Sequence, residues 1–272
     1  MSLLSRDRYV AVLAPAGATL VRRRGRGRAE VIDRADSGDR DGPTWAAAAD
    51  GLERLLAARK PGRHRLAVVL SSHFARYLLV PWSEEIGSPD ELEAYARIRF
   101  EEVYGAVVAG WALRLSPEAA GRPRLAAAIE QGLLDRLLAI AASAGVRLES
   151  VQPYLMTAFN RFGRGLRQAD FLFVVAEPGR ASLLVARDGQ WASVGSTSGA
   201  DSDEAIDALI AREIELLGVS DDAMPGLFVH APGRADCAPA PVKGARPQVL
   251  APAGAAAAGM PDPALVMAMA AA

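Results

Sequence analysis

The sequence predicts an α/β protein of two related lobes, each ordered strand, strand, strand, helix, strand, with a smaller α+β subdomain inserted in the first. Three observations carry this. Near the start two apolar runs, Tyr9-Val-Ala-Val-Leu-Ala14 and Ala18-Thr-Leu-Val-Arg22, flank the turn Pro15-Ala-Gly17. The arrangement returns in the second half, where Asp170-Phe-Leu-Phe-Val-Val-Ala176 and Ala181-Ser-Leu-Leu-Val-Ala186 flank Glu177-Pro-Gly179. Two strand-length apolar runs around a Pro/Gly turn read as a hairpin. Each hairpin is then followed by a third short run (Glu30–Asp33; Gln190–Val194), a helix-period stretch and another apolar strand (Arg65–Leu70; Gly226–His230). The repeat is one of element order, and it predicts two lobes facing a cleft.

Taking the elements in turn, residues Arg22 to Arg28 form the densest charge run, which reads as an exposed strand end because no aromatic residues are interleaved for base stacking. A polar loop is expected over Ala35–Gly42. Thr44 then stands where a helix cap is wanted, and Trp45, Ala48, Ala49, Leu52, Leu55 and Leu56 recur at helical spacing up to Lys60-Pro61-Gly62. After the strand at 65–70, Phe74, Tyr77 and Leu79 suggest a partly exposed strand. Ser88-Pro89-Asp90-Glu91 opens a helix, with a cap, a proline at the first helical position and acids facing the dipole. Strands are expected over Val107–Leu115 and Arg124–Glu130, a helix over Gly132–Ala144, a strand over Val146–Val151 and a short helix from Pro153. The boundaries read 1–165 for the first lobe, with the insert at about 74–130, and 166–272 for the second. In the second lobe Asp201 or Ser202 caps a helix, Pro232–Pro247 reads as a loop, and Pro261-Asp262 starts a final short helix.

Composition narrows the function. A chain of 272 residues can bury a sizeable core, and a formal net charge of −1 favours neither nucleic acid nor an acidic surface. The single cysteine, Cys237, cannot make an internal disulfide, which suits a reducing compartment. No apolar run is long enough to span a bilayer, and the Ala-rich tail is interrupted by Gly254, Gly259, Pro261, Asp262 and Pro263. A cytoplasmic protein is expected. The three histidines, His64, His73 and His230, lack zinc-ligand spacing, and no Gly-x-Ser-x-Gly or Walker loop occurs. No catalytic constellation, metal site or cofactor is expected.

The stretch Leu70-Ser-Ser-His-Phe-Ala-Arg-Tyr-Leu-Leu-Val-Pro-Trp82, with the acidic helix Asp90-Glu-Leu-Glu-Ala-Tyr-Ala-Arg-Ile-Arg-Phe100, resembles the actin-like cytoplasmic proteins of type IV pilus and type II secretion systems. These are the PilM family and the cytoplasmic domain of the GspL family. The resemblance implies an actin-like (ribonuclease-H-like) fold of duplicated βββαβ lobes. It also implies a protein held at the inner membrane through a partner. That partner is the cytoplasmic segment of a membrane pilus or secretion protein, with a secretion ATPase as a further one. GspL-like proteins continue into a transmembrane helix; the present chain is expected to follow the PilM-like layout.

In the nucleotide-hydrolysing members of this fold, the hairpin turns carry an Asp and glycines that wrap phosphates and organise a metal. Here the turn Ala14-Pro15-Ala16-Gly17 has no acid, and Pro15 removes an amide donor. The turn Glu177-Pro178-Gly179 keeps one acid, read either as a remnant metal-organising group or as a solvated turn residue. Pro15, Gly17, Glu177 and Gly179 are therefore read as a vestigial nucleotide loop. Gly195-Ser-Thr-Ser-Gly199 reads as an anion cradle or as a strand-to-helix loop, and Ala231-Pro232-Gly233 is a weak adenine-loop match. Two functions stay open. One is a non-catalytic scaffold that captures a partner segment through Phe74, Arg76, Tyr77 and Leu79 on the inserted strand with Tyr95 and Arg99 on the next helix. The other is an active actin-like or sugar-kinase-like ATPase.

Overall fold

The apolar run after Arg8 forms β1 (Arg8–Ala14), which turns back on β2 (Gly17–Arg24), followed by β3 (Arg28–Asp36), α1 (Trp45–Arg59) and β4 (Arg65–Leu70). The insert supplies β5 (Arg76–Val80), α2 (Pro89–Tyr104), β6 (Trp111–Leu115) and β7 (Arg124–Glu130). The chain returns through α3 (Gln131–Ser143), β8 (Arg147–Pro153) and α4 (Tyr154–Phe162). The second lobe is β9 (Phe171–Glu177), β10 (Arg180–Arg187), β11 (Gln190–Ser198), α5 (Asp203–Leu216), β12 (Gly226–His230) and the two-residue β13 (Gln248–Val249), and α6 (Pro263–Ala270) follows. This computed structural model describes residues 8–24, 28–38, 44–59, 64–166, 169–199, 201–218, 225–252 and 262–271. The expected helix stop at Lys60-Pro61-Gly62, the end of the loop at Asp39–Gly42, the middle of the arginine run at 25–27 and the tail glycines Gly254 and Gly259 with Pro261 lie outside them.

The duplication holds at the level of pairing. One sheet runs β3-β2-β1-β4-β8 and the other β11-β10-β9-β12-β13, each an antiparallel hairpin extended by parallel strands. Both third strands even shift register once against the second, at Leu20/Val21 and at Val185/Ala186. Alternation explains the apolar runs. Ala11 and Leu13 face α1 and α3 with Leu52, Leu56, Leu133 and Ile140, whereas Val10 and Val12 face the other lobe. Strands covered on both faces need apolar residues at every position, which is why β1 and β9 read as unbroken runs. Between the lobes a continuous core joins Val10, Val69, Tyr154, Leu155, Phe173, Leu184 and Met267.

Three expectations are corrected. The run from Val107 begins as a 3₁₀ helix, Ala106–Gly110, and becomes strand only at Trp111; a short apolar run does not distinguish the two by periodicity. Ala35 and Asp36 belong to β3, because they pair with Ala18 and Gly17. Of the stretch Gly195–Gly199, residues 195–198 continue β11 and are not a loop, and Gly199 lies just beyond the strand.

The insert is a three-stranded sheet ordered β5-β7-β6 beneath α2. Ser88 caps α2 by accepting from the Glu91 amide at 3.2 Å, and Glu91 reaches back to accept from the Gly87 amide at 2.8 Å. Reciprocal capping of this kind fixes where the helix begins. Ala96 and Phe100 on its inner face pack on Val80, Leu113, Ala126 and Ala128. The loop between β6 and β7 leans on the second lobe, where Trp191 Nε1 donates to Glu118 Oε1 at 2.9 Å.

The last helix, α6, packs on β1, β2 and β3 of the first lobe and on α4. Its sequence Pro-Ala-Leu-Val-Met-Ala-Met-Ala has no polar face, as befits a helix enclosed on most sides. It is held at both ends: Arg34 pairs with Asp262, which caps the helix, and Arg23 donates to the Ala271 carbonyl.

Candidate functional site

The two hairpin turns meet across a cavity of about 340 Å³, lined by Ala14, Pro15, Gly17, His73, Glu177 and the start of α6, among others. Several of its polar groups are already engaged. Ser37 closes the first turn, its amide donating to Ala16 O at 3.0 Å and its hydroxyl to Pro15 O at 2.7 Å. Gly17 has φ +135° and lies so close to Ala35 O that any side chain would collide with it. In the second turn the Gly179 amide donates to Asp201 Oδ2 at 3.1 Å. At the expected adenine loop, Gly233 has φ +117°, and a Cβ there would sit 2.7 Å from Pro263. The start of α6 thus abuts this loop.

Glu177 corrects the reading of a solvated turn. It is 2 % exposed and accepts from the Ser72 amide at 3.0 Å, across the junction between the lobes. Burial pushes its carboxyl up, against the pull of the neighbouring Ser71 and Ser72 donors and of Arg180. Among the described residues, Ser72 Oγ and Tyr77 Oη, enclosed close by, have no partner of hydrogen-bonding geometry. His73, whose Nδ1 meets Ser71 Oγ at 2.9 Å, is pushed down to about 4 by burial and by Arg180 and Arg76, so it is neutral at pH 7. The cavity walls include Asp36, Glu177 and Asp262, and the one arginine among the described lining residues, Arg34, is bound to Asp262. A phosphate chain needs free amides and cations. This cavity offers three acids, an occupied Gly179 amide and a paired arginine, which is a poor fit for a nucleotide.

A second buried pair ties the lobes together. Tyr154 on α4 meets His230 Nε2 at 2.6 Å, while His230 Nδ1 meets Leu250 O at 2.8 Å. A carbonyl only accepts, so Nδ1 carries the proton and Tyr154 donates to Nε2. Burial pushes His230 down to about 4.

The six residues expected to capture a partner do not form one surface. Tyr77 is 4 % exposed and belongs to the interlobe core, so it cannot contact a partner. Its burial follows from register: it pairs with Ala127 on the core-facing side of β7. Leu79 is half-buried on the same strand. Tyr95 packs against the cluster beneath α2, and Arg99 pairs with Glu102 along that helix. Phe74 and Arg76 line a separate recess.

Sequence reasoning missed a groove of about 330 Å³ on the other side of the insert. Ala112 and Arg114 of β6, Ala127 and Ile129 of β7, Leu134 and Leu138 of α3, and Leu148 to Val151 of β8 wall it. Among the described residues β8 pairs only with β4, so its outer edge faces the groove unpaired. Leu138 is 51 % exposed there. Leu133-Leu134 and Leu137-Leu138 are a detectable signal, because doubled leucines one turn apart widen the apolar stripe beyond one buried face.

The paired five-stranded sheets, the cleft between them and the extra antiparallel sheet define an actin-like ATPase fold. No family model matches the sequence, and no curated protein matches it. Among solved structures, the PilM–PilN type IV pilus biogenesis complex is similar at a TM-score of 0.62 and 15 % identity, covering 98 % of each chain. The cytoplasmic domain of EpsL, an inner-membrane component of the type II secretion system of Vibrio cholerae, is similar at 0.53 and 13 %, covering 97 % of this chain and 92 % of that one. A Bacteroides thetaiotaomicron protein of actin-like ATPase fold and unknown function follows at 0.58 and 9 %, over 85 % and 84 %. At these identities the likeness establishes the fold. Among the described residues no helix is long and apolar enough to cross a membrane.

Proposed function

We propose that the chain is a non-catalytic actin-like scaffold of a type IV pilus or type II secretion-like inner-membrane assembly, and that it captures the cytoplasmic segment of a membrane partner. The observation that carries this is the groove beside β8. An apolar trough against an unpaired strand edge suits an extended segment, whose backbone extends the sheet while alternate side chains enter the trough. The interlobe cavity supports the non-catalytic part, since Pro15, the occupied Gly179 amide and the buried Glu177 leave a nucleotide few donors. The similarity to a PilM–PilN complex and to cytoplasmic EpsL is consistent with such a partner.

The test is titration of the chain with peptides from the cytoplasmic ends of candidate membrane partners. Leu138→Asp removes the exposed apolar wall at a position that is half open to water, so binding is lost while the melting temperature stays within a degree or two. Unchanged binding refutes the groove. Magnesium ATP is the control against the ATPase reading: a ligand at a hundred times its Kd raises stability by about 2.7 kcal/mol, and no such shift is expected.

A further inference from the structure

We infer that the recess between α1 and the inserted sheet is a binding site for a small zwitterion, one ammonium and one carboxylate on a short apolar or aromatic body. The recess has a volume of about 350 Å³, at the lower end of the range for ligand cavities. Trp45 from the start of α1, Phe74 from the β4–β5 loop and Trp111 from β6 give it three aromatic walls, and Arg76, Glu130 and His73 are its ionisable groups. It adjoins the proposed partner groove, with which it shares Ile129 as a wall, but opens on the other face of β7. Ala127 faces the groove from β7, while Ala128 and Glu130, at alternating positions, face the recess.

The two charges are placed as a matched pair that does not close on itself. Arg76 stands opposite Ala128, and Glu130 lies two residues further along β7 on the same face. Diagonal neighbours of this kind are about 7–8 Å apart at the backbone. Long side chains at that spacing could meet, yet among the described residues no carboxylate lies within ion-pair distance of Arg76 and no cation within that distance of Glu130. What holds them apart is visible. Arg76 is anchored by one terminal nitrogen, which donates to His73 O at 3.1 Å and to Ala75 O at 2.9 Å. Glu130 Oε2 accepts from Trp45 Nε1 at 2.8 Å. Each group therefore keeps unused capacity: the remaining guanidinium N–H groups suit a carboxylate, and Glu130 Oε1 suits an ammonium.

The aromatic walls sharpen the specificity. Trp111 is the direct cross-strand partner of Glu130, so a cation that reaches the carboxylate also lies beside an indole. Trp111 is itself braced by Tyr104, their ring centres 5.3 Å apart. His73 is neutral at pH 7, which leaves Arg76 as the anion's partner. A multiply charged phosphate would meet Glu130 and is disfavoured; a zwitterion satisfies both groups at once.

The experiment is calorimetric titration of the full chain with L-tryptophan and L-phenylalanine, set against L-tryptophanamide, which lacks the carboxylate, and N-acetyl-L-tryptophan, which lacks the ammonium. The free amino acids are expected to bind, and each singly charged analogue at least tenfold more weakly, as the loss of one charge-assisted contact dictates. Arg76→Gln abolishes discrimination against the amide, and Glu130→Gln abolishes discrimination against the acetylated form. Because Arg76 also ties the turn at 73–75, the analogue series on the unaltered chain stands on its own if that variant folds poorly. Absence of heat with both amino acids up to about 10 mM, a concentration that detects millimolar affinity, overturns the proposal. So does equal affinity for tryptophan and its amide.

Discussion

Replacing Glu177 tests the junction between the lobes most directly. Its carboxylate is enclosed at 2 % exposure and accepts from the Ser72 amide at 3.0 Å. Glu177→Ala leaves that buried N–H without a partner, at a cost of about 1–3 kcal/mol. For a chain of this size that corresponds to a fall in Tm of roughly 2–10 °C. Glu177→Gln keeps an acceptor oxygen and removes the burial penalty on the charge, so it costs less than the alanine change. The pH dependence gives a second readout with a definite sign. Burial raises the folded-state pKa of Glu177 above its unfolded value. The stability this group contributes is then fully present below the unfolded pKa and is lost as pH rises through the folded one. Urea denaturation from pH 4 to pH 8 should accordingly show Glu177→Gln gaining on the parent chain as pH rises. An alanine variant as stable as the parent, or a glutamine variant that loses ground with rising pH, refutes the buried junction.

Three further predictions rest on neighbouring features. Tyr154→Phe deprives His230 Nε2 of its donor inside the core and costs about 1–3 kcal/mol, measurable as a shifted urea midpoint with unchanged slope. Gly17→Ala forces a side chain into a left-handed position against Ala35 O and costs at least about 1–3 kcal/mol; a variant that melts with the parent disproves the turn geometry. His230 titrates near 4 in the folded chain against an ordinary 6.5, so the unfolded chain takes up its proton first. Stability is lost as pH falls from 6.5 towards 4, and His230→Gln should flatten that part of the profile.

The paired hairpins were legible because their strands are covered on both faces. Phe171–Glu177 is buried along its whole length, and an unbroken apolar run between turn residues has few other readings. The cap at Ser88 and the strand Arg124–Glu130 were equally plain. What the sequence could not show depends on how the lobes meet. Glu177 ends a strand in a Pro-Gly turn, a position that an isolated lobe leaves in water; the first lobe's Ser72 amide encloses it. Tyr77 looked half-exposed by alternation, but its face of β5 is the one that joins the interlobe core. The recess at Arg76 and Glu130 was hidden for a similar reason, since it needs Trp45 from α1 brought against β7.

The return of α6 to the sheet of β1–β3 means that neither half of the polypeptide carries a full set of its own packing. A fragment that ends where α4 ends would bare Val10, Val12 and Val21 to water, and its complement would carry an oily helix with nothing to rest on. The halves are kin by pattern but interdependent as bodies. Loosening the seam between them therefore costs the molecule its integrity.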